Sequence, residues 1–87
     1  MMADPFNSDS LNAPARAPFG IVPSDTVALA TVPKRIFVGT GGHVTLRGVD
    51  GAGDVTYRNV ASGVYLNVRP SYVRATGTTA ADLIGEA

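Results

Sequence analysis

KRIFVG (34–39), HVTLRG (43–48), DVTYRNV (54–60), GVYLNVR (63–69) and YVRA (72–75) follow one another, punctuated by GTGG (39–42), GVDGAGD (48–54), ASG (61–63) and RPS (69–71). A period of two marks a strand with one buried and one exposed face, so this stretch predicts an antiparallel sheet protein. Val44 and Leu46 are expected to point inward with Thr45 and Arg47 outward; likewise Val55 and Tyr57 against Thr56 and Arg58, and Val64, Leu66 and Val68 against Tyr65, Asn67 and Arg69. Val73 and Ala75 continue the pattern, with Tyr72 and Arg74 opposite. Val60 falls out of phase, which predicts a bulge or strand end near Asn59. Ile36, Phe37 and Val38 are apolar in succession, as in a central strand covered on both sides or one whose outer face meets another subunit.

Working outward, Pro23, Ser24 and Asp25 form a turn, and Thr26 to Val32 is expected to be a first strand, with Val27 and Leu29 on one face and Pro33 closing it. Short connections favour a meander or Greek key over parallel crossovers. Near the end, residues 79–83 fit one helical turn and residues 82–84 fit a final strand equally well. Residues 1–20 contain Pro5, Pro14 and Pro18 and no periodic pattern, so they read as an extended arm or tail in which Phe6 and Phe19 are candidate anchors. The expected organisation is therefore an extended, Pro-containing N-terminal arm (1–20) and a single β-domain (21–87). That domain is expected to be all-β, a small antiparallel β-sandwich or partly open barrel of six to seven strands.

An 87-residue chain has room for one thin core. It has no cysteine and one histidine, which excludes disulfide staples, thiolate metal sites and an imidazole cluster, so oligomerisation is the remaining source of stability. The acidic start MMADPFNSDS and the lack of any apolar run near ~18–20 residues predict neither a signal peptide nor a membrane span. Formal net charge is zero but segregated: residues 34–74 hold six cationic side chains against Asp50 and Asp54, a surplus of four, while acidic residues prevail in the flanks. Solvated strand faces account for this; an acidic arm of one copy lying on a basic face of another is the sharper alternative.

Catalytic chemistry finds no footing in these residues. GTGGH (39–43) lacks the Lys and following helix of a phosphate loop and reads as a tight hairpin turn. His43 has neither a second His nor a carboxylate at useful spacing. Asp50 and Asp54 lack the ligand spacing and terminal Glu of a calcium loop, and read as turn residues of a kind that tolerates positive φ. Ser24, Ser62 and Ser71 have no assignable base. No enzyme activity and no cofactor are expected. Were Arg47, Arg58, Arg69 and Arg74 to share one face with Tyr65 and Tyr72, the set would suit an oligonucleotide-binding sheet or, equally, a protein interface. The balanced charge disfavours nucleic acid. Sugar stacking on Tyr65 or Tyr72 is a further alternative.

The order of PSDTVAL (23–29), RIFVGTGGHVTLRGVDG (35–51) and VTYRNVASGVYLNVRPSYVRATGTTAADLI (55–84) resembles the small spike-base proteins of tailed phages, prophages and gene transfer agents. The resemblance covers about residues 20 to 85. It rests most on Val55, Tyr57, Asn59 and Val60, on Gly63, Leu66, Val68 and Arg69, and on Ala75 to Ala80 followed by Asp82, Leu83 and Ile84. It implies a structural virion protein, the base of a head spike on the capsid vertex, assembled in the bacterial cytoplasm. Its implied partners are further copies of itself in a homo-oligomer, expected to be a pentamer, the capsid protein, and a spike fibre used in attachment to the recipient cell. A tail or baseplate adaptor is the alternative, with a nucleic-acid-binding β-barrel behind it. The resemblance brings no catalytic residues. The residues expected to touch partners are Phe6, Phe19, Arg47, Arg58, Tyr65, Arg69, Tyr72 and Arg74.

Overall fold

Gly42–Gly48 forms the strand that the alternation describes most clearly, with Val44 and Leu46 buried between two sheets. The computed structural model describes residues 14–87, and within them the chain has seven strands and no helix. They are β1 (Phe19–Gly20), β2 (Arg35–Thr40), β3 (Gly42–Gly48), β4 (Val55–Val60), β5 (Val64–Leu66), β6 (Pro70–Val73) and β7 (Ala81–Glu86). One sheet has the order β1-β7-β2-β5 and the other β4-β3-β6, and every pairing is antiparallel. The two sheets face one another as a small open sandwich, not a closed barrel.

The core forms where the inner faces meet. Ile36, Val38, Leu66 and Leu83 come from the first sheet and Val44, Leu46 and Val73 from the second, joined by Ile21 and Ala80. Phe19, Leu29, Tyr57, Val60 and Val68 pack against this layer while half-buried. Full burial of one such aliphatic side chain contributes roughly 1.5–3 kcal/mol. A core of nine aliphatic side chains with no fully buried aromatic among them therefore has little to spare against chain entropy.

The chain passes repeatedly between the layers. Only β3 and β4 are consecutive strands that pair as a hairpin, so the layout is not a meander. The GTGGH segment is a corner, not the expected hairpin turn: β2 pairs with β5 and β7, β3 with β4 and β6, and the single residue Gly41 carries the chain from one sheet to the other. A Cβ at Gly41 would run into the Val60 carbonyl oxygen and lie 2.8 Å from the Ser62 nitrogen, so the corner closes only on a residue without a side chain. The expected irregularity near Asn59 is present, with Asn59 at φ 56° and a register shift between β3 and β4 at Gly42/Val44. His43 Nδ1 accepts a hydrogen bond from the Asn59 N–H at 3.1 Å and so holds this bulge.

Other expectations need correction. Residues 26–32 are not a strand. Only two N–H groups of this region reach β6, Ser24 to the Val73 carbonyl (2.8 Å) and Leu29 to that of Ser71 (2.9 Å). Between them the Ser24 hydroxyl accepts from the Val27 N–H (3.1 Å) and lifts the chain off the edge, leaving Val27 exposed. Residues 21–32 form a strap instead of a strand. β5 ends at Leu66 because the Val68 N–H turns back to the Leu66 carbonyl at 2.9 Å. Thr45, read as outward, is buried beneath the 75–80 turn, its N–H donating to Thr78 Oγ1 (3.0 Å) and its hydroxyl meeting that of Thr56 (2.8 Å). Val55 and Val64, read as inward, are exposed, as is Ala75. The 48–54 turn needs no positive φ; among the described residues that conformation falls at Asn59, Asp82, Gly63 and Gly77. The C-terminal ambiguity resolves as strand, since β7 fills the position between β1 and β2.

One polar latch pins the strap. Asp25 accepts from the Thr76 N–H (2.9 Å) and hydroxyl (2.8 Å), while Arg74 donates to the Asp25 carbonyl (2.8 Å) and to Asp54 (3.1 Å), with its guanidinium 4.0 Å from the Tyr72 ring centroid. The Thr76 backbone N–H above all, then the Thr76 hydroxyl, holds the Asp25 carboxyl below its ordinary value; partial desolvation opposes this, and the Ala75 N–H and Arg74 add to it.

Two measurements follow from this architecture. Gly41→Ala is expected to lower unfolding stability in urea by about 1–3 kcal/mol, because backbone lines the space. Gly53→Ala, whose added Cβ meets nothing within 4 Å, should stay within about 0.5 kcal/mol of the parent. A carboxyl depressed in the folded state contributes stability above the unfolded value of about 3.9, and that contribution is lost as pH falls through the folded value. The stability difference between the parent and Asp25→Asn, measured by urea melts from pH 7 downward, should accordingly be flat at neutral pH and shrink below about pH 4.

Candidate interaction surfaces

The β2 pleat sends Ile36 and Val38 inward, so Phe37 must face out. Opposite Phe37 stand Ile84 of β7 and Tyr65 of β5, which gives an outer row Ile84–Phe37–Tyr65 across the sheet. Phe37 and Tyr65 meet edge to face at 5.2 Å. Arg35, bound to Glu86 at 2.8 Å, lies 5.7 Å from the Tyr65 ring centroid. The sequence signalled this surface only through the unbroken apolar triplet Ile36–Val38; Ile84 carried no signal of its own.

The second sheet presents a different outer face. Arg47 stands opposite Tyr72, and its Nε donates to the Gly51 carbonyl at 3.0 Å, which braces the 48–54 loop. Arg74 is committed to the latch. Arg58 and Arg69 are exposed. Tyr65 belongs to one sheet and Tyr72 to the other, and Arg69 lies in the link between β5 and β6. The arginines and tyrosines therefore do not gather on the single face that an oligonucleotide-binding sheet requires. Phe19 sits inward, half-buried over Gly85, where a Cβ would lie 2.5 Å from its ring. The Arg16 and Ala17 N–H groups both donate to the Ala87 carbonyl, at 2.7 and 2.8 Å, so the chain is tied to the sheet ahead of Ile21. Phe6 lies outside the described residues.

Two apolar zones remain at the flanks. On the strap side a groove of about 600 Å³ opens among Pro18, Phe19, Val22, Val27 and Leu29. On the opposite side Val55, Val64 and Tyr65 are exposed along the edge strands β4 and β5. Among the described residues, no three His, Cys, Asp or Glu side chains stand close enough to hold a metal ion. The geometry offers apolar and aromatic contact area with scattered guanidinium groups, the chemistry of protein–protein contact.

Neither a protein-family model nor a curated protein matches the sequence. Among solved structures, a chain in the capsid of a native gene transfer agent (GTA) particle, computed with C5 symmetry, is similar to it with a TM-score of 0.82 and 42% sequence identity. The match covers 98% of this chain and 100% of that one. With that identity over nearly the whole of both chains, the chain belongs to the family of GTA particle proteins to which this capsid component belongs.

Proposed function

We propose that the chain is a structural virion protein, the base of a head spike that sits on a capsid vertex, assembles there as a ring and carries a fibre used in attachment to the recipient cell surface. The observation that carries this reading is the likeness over the whole chain to a capsid component solved with C5 symmetry. A vertex of such a particle lies on a fivefold axis, so a protein seated on it is repeated five times, and a closed ring satisfies every copy equally. The structure is suited to such a role in three respects. Its core is thin for an isolated domain, its flanks expose apolar side chains, and Arg47 and Arg74 brace loops instead of lining a cleft.

Light scattering on the purified full chain, paired with electron microscopy of particles made without it, tests the proposal. The expected result is a pentamer in solution and vertices that lack their spikes. A monomer in solution together with fully decorated vertices in its absence would overturn the reading, as would a labelled chain found at the tail.

A further inference from the structure

The two flanks of the sandwich are finished differently. On one side the sheets end in the two-residue β1, paired with β7, and in β6, to which the strap bonds through Ser24 and Leu29. On the other side β4 and β5 end their sheets with no strand beyond them among the described residues, joined by the three-residue turn 61–63. An unprotected edge is a site where a folded protein associates or must be blunted.

The valines on that open side are core residues without a cover. Val55 stands directly opposite Leu46, and residues opposite one another in a ladder project to the same face. Leu46 is 3% exposed and Val55 is 57% exposed. Val64 stands opposite Val38 in the other sheet, and the same contrast recurs at 39% against 0%. Both side chains are therefore in the phase of the interlayer core, at the place where the layer runs out to solvent. Surface valines in the outward phase would need no explanation; valines in the inward phase on two facing sheets mark a core that the described residues leave incomplete.

The strap flank carries the complementary feature. The strap and the segment before it line the apolar groove, with Val22 82% and Val27 67% exposed among its lining residues. One protomer thus presents an apolar edge and an apolar groove on opposite flanks, by the strand orders themselves. A twofold contact would pair like with like and leave one zone of each copy in water. A head-to-tail contact uses both zones of every copy, and when its rotation closes it gives a ring.

We infer that the β4/β5 edge of one copy, with Val55 and Val64, packs into the strap groove beside Val22 and Val27 of the next copy, so that each protomer completes its neighbour's core. This rests on the ring reading above and names the surfaces that form the ring.

The chain has no cysteine, which makes single introduced thiols informative. Val27→Cys and Val64→Cys full chains, each exposed at the changed position, are treated with a short bis-maleimide separately and as an equimolar mixture after subunit exchange, with light scattering on the same samples. Cross-linked dimers in the mixture, none in either variant alone, and a ladder in the double variant are the expected results. Oligomers in which a single variant links to itself, or in which the mixture stays unlinked, would overturn the flank assignment while leaving the ring. A monomer at every concentration would overturn both. Val55→Lys provides a second arm. It should abolish the oligomer while the far-UV circular dichroism stays that of a folded β-domain, with a urea midpoint that no longer rises with protein concentration; retention of the full oligomer would contradict the inference.

Discussion

The layer between the sheets is the constraint on which the rest of the structure depends. Nine buried apolar side chains of modest size fill it, and the two sheets can face one another only because Gly41 lets the chain turn from β2 into β3 within one residue. Around that layer the polar contacts act as closures. His43 holds the Asn59 bulge, the threonines at 45, 56 and 78 seal the outer side of β3, and Asp25, Thr76 and Arg74 pin the strap. These ties join segments 11 to 51 residues apart in sequence and so supplement a thin core.

The sequence revealed the layer well and its boundaries less well. Alternation at Val44 and Leu46 identified β3, the triplet Ile36–Val38 identified an interior strand, and the misphased Val60 located the bulge. Periodicity reports which way a side chain points, and it does not report what lies in front of it. Val55 and Val64 were read with the correct phase and the wrong burial for that reason. The GTGG segment was misread because a corner between sheets and a hairpin within one both call for glycine. The strap was misread as a strand because its Val27 and Leu29 are spaced like one, while the Ser24 turn that breaks the pairing is a side-chain effect.

The arginines illustrate the limit of reading a surface from spacing. Each of the five alternating strands predicted between residues 34 and 75 carries one, and the regularity suggested a common face. In the fold Arg47 supports a loop, Arg74 clamps the strap, Arg35 pairs with Glu86, and Arg58 and Arg69 remain exposed. What distinguishes the molecule as an interaction partner is instead the asymmetry of its flanks, which no residue count discloses and which the strand order makes plain. That asymmetry suits a protein whose relative is part of a capsid computed with C5 symmetry, since a closed ring needs two unlike surfaces on each copy.

A density map of the assembled particle, refined at its fivefold vertices, tests the central claim most directly. The account predicts five copies of this sandwich around the axis, each with its β4/β5 edge against the strap of the next. Copies away from that axis, or copies that meet through the outer faces of their sheets with both flanks in solvent, would contradict it.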